Sequence, residues 1–195
     1  MATAGKSALR ERLLAARRSV PDAARAQQAA ALAGHIDALA VDGATVCAYV
    51  PVGAEPGSRD MLDVLARRAD RVLLPVARTT AEDDAVALRW GEYRAGELVA
   101  ARFGLLEPPG PWLPATAVTE ASVVLVPALA VDRTGARLGR GRGFYDRTLV
   151  LRAAGARLIA VVRDEEVLDE VPHEPHDVPM THALTPGQGL IALTG

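Results

Sequence analysis

Glycine and arginine alternate over residues 139–143, and Phe144, Tyr145 and Asp146 follow directly. Glycine has no Cβ, so the backbone can turn tightly and bring its N–H groups close to a ligand. Arginine presents forked donors whose geometry matches that of phosphate oxygens. A helix that starts near Phe144 would add the positive end of its dipole. Together these residue types predict a loop that holds a polyphosphate.

The elements on either side of this Gly/Arg loop (residues 139–143) must position it. Apolar runs at 123–126 and 129–131 predict buried strands, residues 132–135 predict a turn, and an amphipathic segment at 145–154 predicts a helix. A loop between such elements is typical of a binding site rather than of an exposed turn or an RNA-binding tail. It is not a dinucleotide fingerprint, because Phe144 occupies the third glycine position, and no Gly-Lys-Ser/Thr follows to make a Walker loop.

The composition predicts one α/β domain over residues 1–195. Half of the residues are hydrophobic (50%), 24% are charged, and the net charge is −2. This near-neutral balance argues against broad nucleic-acid binding, because the basic loop is only a local feature. Cys47 is the only cysteine and cannot form a disulfide within the chain, which is typical of a cytoplasmic protein. No apolar run approaches the roughly 20 residues that a membrane span needs.

The first helix is predicted over residues 5–18. Its expected buried face consists of Leu9, Leu13, Ala16 and Val20. Lys6 and Arg10 are four residues apart and therefore share another part of the helix surface. Such a pair is usually a solvated cationic face, and the alternative is an anion-binding role.

Glu55 is the acid of a loop that follows a predicted strand at 45–50. Ligands of open α/β sheets bind at the carboxyl ends of strands, so Glu55 is a candidate binding residue. The alternatives are a surface carboxylate or a cap for the next helix. Phe103 is either a ligand contact or an aromatic side chain packed against the core. His173 and His176 beside Asp177 lack the further ligands that a zinc site requires.

Further periodic segments complete the predicted architecture. Helices are expected at 22–40 and 58–69, strands at 71–76, 86–90 and 157–162, and edge strands at 183–185 and 190–193. Strands therefore alternate with helices along the chain, which predicts a three-layer α/β/α domain.

Residues 137–146 and Leu149 resemble a family signature. The sequence Arg-Leu-Gly-Arg-Gly-Arg-Gly-Phe-Tyr-Asp, followed by Leu149, is similar to the Arg-Leu-Gly-x-Gly-x-Gly-Tyr/Phe-Tyr-Asp-x-x-Leu pattern of 5-formyltetrahydrofolate cyclo-ligases. The resemblance implies a central, largely parallel sheet, as in the sugar-phosphate isomerase and CoA-transferase group. It also implies ATP- and Mg²⁺-dependent cyclisation of 5-formyltetrahydrofolate to 5,10-methenyltetrahydrofolate. The products would be ADP and phosphate, and the intermediate would be an N-formimidoyl phosphate. We further expect a monomer that binds neither nucleic acid nor a membrane.

The same resemblance implies roles for individual residues. ATP would be bound by Lys6, Arg10, Arg137, Leu138, Gly139, Arg140, Gly141, Arg142, Gly143, Phe144 and Tyr145. The folate would be bound by Val50, Glu55, Phe103, Arg140 and Phe144. Asp146 and Asp177 would lie near Mg²⁺, for which hard oxygen ligands are suited.

Two positions depart from the pattern. Arg142 stands where lysine is frequent, which keeps the charge and changes its geometry, and Phe144 lacks the hydroxyl of the frequent tyrosine. Three other readings stay open at this point. They are a non-catalytic or altered-substrate member of the family, an RNA-binding module that uses the Gly/Arg loop, and a sugar-phosphate isomerase that uses a carboxylate base such as Glu55.

Overall fold

The computed structural model describes residues 2–174 and 177–194, without the side chains of residues 2–4 and 103. Its α-helices are α1 (Ala2–Ser19), α2 (Asp22–Asp37), α3 (Asp60–Arg68) and α4 (Phe144–Leu149). Short 3₁₀ segments lie at Arg102–Gly104, Ala115–Glu120 and Asp164–Glu166. None of the helices in this described part is long and apolar enough to span a membrane.

The strands form one large sheet and two small ones. They are β1 (Thr45–Cys47), β2 (Arg71–Val76), β3 (Arg89–Glu92), β4 (Val99–Ala100), β5 (Leu106–Glu107), β6 (Ala121–Pro127), β7 (Ala130–Asp132), β8 (Arg137–Leu138), β9 (Arg157–Val161), β10 (Val167–Leu168), β11 (His182–Thr185) and β12 (Gly189–Ala192). The large sheet has the order β12-β11-β9-β6-β1-β2-β3. Its five inner strands are parallel, and the strand at each edge is antiparallel to its neighbour. The predicted α/β class with a largely parallel sheet is confirmed.

Both faces of this sheet are buried, as its apolar strands require. Helices α2 and α3 cover one face with Leu32, Ile36, Met61 and Leu65. The opposite face is covered by α4 and the 3₁₀ segment Ala115–Glu120, which contribute Leu149 and Val118. The layers therefore hold the carboxyl ends of β6, β1 and β2 side by side.

Helix α1 packs on the small sheet β10-β7-β8 rather than on the large one. Leu13 is buried there against Leu129, Leu138 and Val171. Strands β7 and β8 form a hairpin whose turn is held by Asp132, and its carboxylate accepts hydrogen bonds from the backbone N–H groups of residues 134, 136 and 171. Burial alone would raise the pKa of Asp132, but a hydrogen bond from the Thr134 hydroxyl and those from the three backbone N–H groups outweigh it and lower the pKa. The hairpin thus delivers a rigid start to the Gly/Arg loop.

Several predicted elements differ in extent. The helix predicted at 145–154 ends at Leu149, where the chain turns and Arg152 donates a hydrogen bond to the Leu149 carbonyl. The strand predicted at 86–90 lies at Arg89–Glu92, and the strand predicted at 45–50 already ends at Cys47. On α1, Ala16 is exposed and Arg17 is buried, which corrects the predicted apolar face.

Candidate functional site

A cavity of about 370 Å³ lies at the carboxyl ends of β6, β1 and β2. Its walls come from the segments that follow these three strands and from the Gly/Arg loop with the first turn of α4. Among the predicted site residues, it is lined by Val50, Glu55, Arg137, Gly139, Arg140, Gly141, Arg142, Gly143, Phe144, Tyr145 and Asp146. The structure therefore brings together residues that are almost a hundred positions apart in the sequence.

Glu55 joins two walls of the cavity. It belongs to the Glu55 loop, residues 51–57, and its Oε2 atom accepts a hydrogen bond of 2.9 Å from the backbone N–H of Val52. Its Oε1 atom lies 3.0 Å from Nε of Arg140. The Glu55 side chain is only 11% exposed, whereas that of Arg140 is 51% exposed. The carboxylate is thus held by its own loop, and the arginine reaches it from the solvent side.

The cavity wall beside the Gly/Arg loop contains Arg137, Tyr145 and Asp146. The buried Arg137 guanidinium donates to Asp146 and lies 5.8 Å from the centre of the Tyr145 ring. The Nε atom of Arg137 and the hydroxyl of Tyr145 are buried and have no hydrogen-bond partner among the described residues. Burial raises the pKa of Tyr145, so its hydroxyl stays a proton donor. Both groups are donors that a polar ligand in the cavity would satisfy.

The Gly/Arg loop has a conformation that depends on its glycines. Gly141 and Gly143 have φ values of 93° and 78°, in the left-handed region that side chains disfavour. Arg10 of α1 supports the loop from behind, because its Nε donates a hydrogen bond of 3.0 Å to the Gly139 carbonyl. Arg10 therefore contacts the Gly/Arg loop directly, while its predicted role in ATP binding stays a prediction.

Arg142 lies at the outer edge of the cavity. One of its guanidinium nitrogens is 3.4 Å from Oδ2 of Asp83, and both side chains are about half exposed. The guanidinium also lies 5.9 Å from the centre of the Phe144 ring. Arg142 therefore places a positive charge at the solvent side of the cavity.

The cavity lining does not include three other predicted site residues, Lys6, Leu138 and Asp177. Lys6 forms ion pairs with Glu174 and Asp177, at 3.4 and 3.3 Å. Leu138 is 1% exposed and packs in the apolar cluster under α1, so only its backbone can serve the loop. The side chain of Phe103 and the whole of His176 lie outside the described residues.

A metal centre made by protein side chains alone is not found in residues 2–174 and 177–194. Their His, Cys, Asp and Glu side chains form no group of three or more that could hold a metal ion. Asp146 is a carboxylate on the cavity wall, and Asp177 pairs with Lys6. A single carboxylate such as Asp146 suits Mg²⁺ that is shared with substrate phosphates and water, since Mg²⁺ usually takes one or two protein carboxylates.

Sequence reasoning missed Arg17, which lines the cavity although only 2% of it is exposed. Arginine is normally read as a surface residue. A signal was nevertheless present, because Arg17 follows Leu13 by four residues and Arg10 by seven, which places all three along one side of α1.

Comparisons with known proteins find close relatives. The sequence model of the 5-formyltetrahydrofolate cyclo-ligase family matches residues 2–186. A Mycolicibacterium smegmatis protein named 5-formyltetrahydrofolate cyclo-ligase is 62% identical over 193 residues, which are 99% of this chain and 100% of the relative. An Escherichia coli K12 protein of the same name is 28% identical over 145 residues, 74% of this chain and 79% of its own.

The fold also matches a solved structure. The NMR structure of 5,10-methenyltetrahydrofolate synthetase from Aquifex aeolicus aligns with a TM-score of 0.78 at 22% sequence identity. The alignment covers 97% of this chain and 93% of that one. At this level of identity, the likeness is evidence for the fold.

Proposed function

The chain belongs to the 5-formyltetrahydrofolate cyclo-ligase family, and we propose that it uses ATP and Mg²⁺ to cyclise 5-formyltetrahydrofolate to 5,10-methenyltetrahydrofolate. ADP and phosphate are the other products. One observation carries the proposal: Glu55 and the arginines of the Gly/Arg loop line the same cavity, and Arg140 forms an ion pair with Glu55 across it. A carboxylate suits the N–H donors of a pterin, and arginines suit phosphate, so the cavity lining offers polar contacts to each substrate.

The reaction explains why so many cations are needed. A formamide oxygen is a poor leaving group, so it first attacks the γ-phosphate of ATP and becomes an N-formimidoyl phosphate. N10 of the folate then attacks the activated carbon, the five-membered ring closes, and phosphate leaves. Phosphoryl transfer depends on positioning and charge neutralisation rather than on covalent help from the protein. Arg137, Arg140 and Arg142 supply positive charge at the cavity, and Arg10 and Lys6 supply it from α1.

The backbone of the Gly/Arg loop has a second task in this proposal. Gly139, Gly141 and Gly143 leave room for phosphate oxygens to approach the loop, and Leu138 anchors its first turn in the apolar cluster. The buried Tyr145 hydroxyl donates to a ligand oxygen, because no protein acceptor among the described residues takes it. Phe144 packs against the bound substrates at the mouth of the cavity.

The folate occupies the side of the cavity formed by the Glu55 loop. Glu55 accepts hydrogen bonds from the pterin, and Val50 provides an apolar contact to its ring. Phe103 is a second aromatic contact in this proposal. Because Arg140 pairs with Glu55, it is placed to interact with both substrates.

Asp146 is the residue that would hold Mg²⁺ at the cavity, and Asp177 remains a proposed second carboxylate near the ion. When bound, Mg²⁺ would neutralise charge on the ATP phosphates. Arg137 already orients the Asp146 carboxylate by donating to it. All the residues named for the reaction belong to one chain, which we propose acts as a monomeric, single-domain enzyme of the cytoplasm on small-molecule substrates.

The test is to incubate purified protein with Mg-ATP and 5-formyltetrahydrofolate and to follow the near-ultraviolet absorbance of methenyltetrahydrofolate. We expect product that requires ATP and that Arg140→Ala abolishes or slows strongly. Arg133→Ala is the matched control, because Arg133 is an exposed arginine outside the cavity lining. Folded wild-type protein that makes no product would overturn the proposal.

A further inference from the structure

Beneath the cavity lies a buried cluster of Arg17, Glu166 and Arg163, which we call the buried arginine cluster. Each of the three residues is at most 3% exposed. Arg17 donates to both carboxylate oxygens of Glu166, at 2.7 Å each. Glu166 also accepts a 2.8 Å hydrogen bond from the backbone N–H of Arg163, and its Oε1 atom lies 3.6 Å from Nη1 of Arg163. One carboxylate therefore links two guanidinium groups.

The outer ends of this cluster hold the cavity walls. Nη2 of Arg17 donates a 2.6 Å hydrogen bond to the carbonyl of Ala128, which follows β6 and lines the cavity. Nη2 of Arg163 donates a 3.2 Å hydrogen bond to the carbonyl of Ala54, the residue before Glu55. The cluster thus runs from α1 and the end of β6 to the loop that carries the folate-binding carboxylate.

Arg163 is tied to a third element as well. Its Nε atom donates a 2.9 Å hydrogen bond to the side-chain oxygen of Gln28 on α2. Burial lowers the pKa of Arg163, and Glu166 opposes that effect. The Arg163 guanidinium is therefore held on several sides, and its contacts with Gln28 of α2 and with Glu166 determine its orientation.

Burying such a cluster is unfavourable in free energy, because its charges lose contact with water. It contains two guanidinium groups and one carboxylate, and Nη1 of Arg163 has no hydrogen-bond partner among the described residues. Apolar residues of similar volume often give equal or better stability in such places. Stability alone therefore gives no reason for charged residues here, whereas contact with two cavity walls does.

We propose that Arg163 and Arg17 are positioning residues, which fix the Glu55 loop relative to α1 and the end of β6 through their shared partner Glu166. The inference rests on the proposed function, because it assigns Glu55 to the folate. Arg163 acts on the folate side through Ala54. Arg17 acts on the side of α1, which carries Lys6 and Arg10.

The decisive variant is Arg163→Lys, which keeps the charge but cannot donate to Gln28 and Ala54 with one planar fork. We expect the KM for 5-formyltetrahydrofolate to rise about tenfold, the effect of roughly one lost hydrogen bond, while the KM for ATP changes less than about twofold. Gln28→Ala leaves the arginine in place and removes one of its acceptors. It should raise the folate KM in the same direction by a smaller factor, and it serves if Arg163→Lys does not fold.

A double-mutant cycle separates positioning from general weakening of the fold. In a Glu55→Gln background the carboxylate that binds the folate is already absent from the protein, so Arg163→Lys should no longer change the KM for 5-formyltetrahydrofolate. Asp164→Asn is the matched control. Asp164 directly follows Arg163 but accepts hydrogen bonds from Thr185, Gly187 and Gln188, away from the cavity lining. It should reduce stability without raising the folate KM.

The outcomes are distinct. A folate-specific rise in KM that disappears in the Glu55→Gln background supports the positioning role. Equal changes in both KM values, unchanged kinetics in the folded variants, or additive effects in the cycle would overturn it. Wild-type protein that does not act on 5-formyltetrahydrofolate would overturn the proposed function itself, and the positioning role with it.

Discussion

The arginines of this protein occupy two contrasting regions. In the Gly/Arg loop, Arg140 and Arg142 are 51% and 47% exposed and pair with carboxylates at the edge of the cavity. In the buried arginine cluster, Arg17 and Arg163 are each 2% exposed. The Arg142–Asp83 pair is exposed on both sides and contributes little to stability, so Arg142 can exchange its carboxylate for a phosphate at small cost. Arg140 is exposed as well, although its partner Glu55 is only 11% exposed. Buried pairs cannot make that exchange, because a charge without its partner is strongly unfavourable there. Burial, rather than residue type, separates the binding arginines from the positioning ones.

The largest expected effect comes from Glu166→Ala. It leaves Arg17 and Arg163 buried without their carboxylate, which we expect to lower the free energy of unfolding by about 3–5 kcal/mol. Urea denaturation measures the change. Glu120→Ala is the control, because Glu120 pairs with Arg71 at the same distance of 2.7 Å but is 51% exposed. That pair should cost at most about 1 kcal/mol. Equal losses in the two variants would remove the distinction between the regions.

Much of the fold was predictable from the sequence because its signals are local. The β-branched run around Val123 predicted β6, and the alternation of strands with helices predicted the three-layer α/β class. The largely parallel sheet was implied by the family resemblance rather than by the periodicity. The Gly/Arg loop was predictable for the same reason, since its glycines, cations and aromatic residues are contiguous. The family resemblance that rested on this loop is confirmed by the match over residues 2–186.

The ion pairs of the buried arginine cluster could not be predicted in that way, although the spacing of Arg10, Leu13 and Arg17 places all three along one side of α1. Arg17 is buried because Glu166 lies opposite it, 149 positions away in the sequence. Local periodicity instead assigned Ala16 to the buried face of α1. The end of α4 was also mispredicted, because the apolar Leu151 continues a helical pattern after the chain has turned at Leu149. The individual roles predicted for the site residues all stay predictions, including those of Lys6, Asp177 and Phe103.

The next largest effect is expected for Glu55→Gln, which breaks the ion pair between the cavity walls. Loss of the carboxylate should lower kcat/KM for 5-formyltetrahydrofolate by about 100-fold, as when a site loses a charged hydrogen-bond partner. The same change releases Arg140 from its 3.0 Å partner, so a non-hydrolysable ATP analogue should bind up to about fivefold more tightly without folate. Separate titrations with each ligand measure the two effects. Weaker binding of both ligands would contradict the exchange of partners.

For Tyr145→Phe we expect smaller effects, with a gain in stability and a loss of activity. The Tyr145 hydroxyl is buried and has no partner among the described residues, so removing it should raise the free energy of unfolding by about 1 kcal/mol. If the hydroxyl donates to a ligand, kcat/KM should fall about tenfold, the value of one hydrogen bond. Thermal unfolding and steady-state kinetics measure both quantities.

Tyr49→Phe is the matched control for this prediction. Its hydroxyl is also buried but donates a 2.8 Å hydrogen bond to the carbonyl of Pro56. Its removal should therefore lower the free energy of unfolding, by about 1 kcal/mol. A Tyr145→Phe variant that is destabilised like Tyr49→Phe would mean that the protein itself satisfies the Tyr145 hydroxyl.

The smallest effect is expected for Asp83→Asn, which removes the charge opposite Arg142. Both side chains are about half exposed and 3.4 Å apart, so stability should change by less than about 0.5 kcal/mol. Asparagine also tolerates the left-handed backbone at this position, where φ is 65°. The KM for ATP should fall by up to about twofold at low salt, and the difference should vanish at high ionic strength, where exposed charges are screened. A large loss of stability would place Arg142 with the fixed arginines instead, because an exchangeable pair cannot contribute that much to the fold.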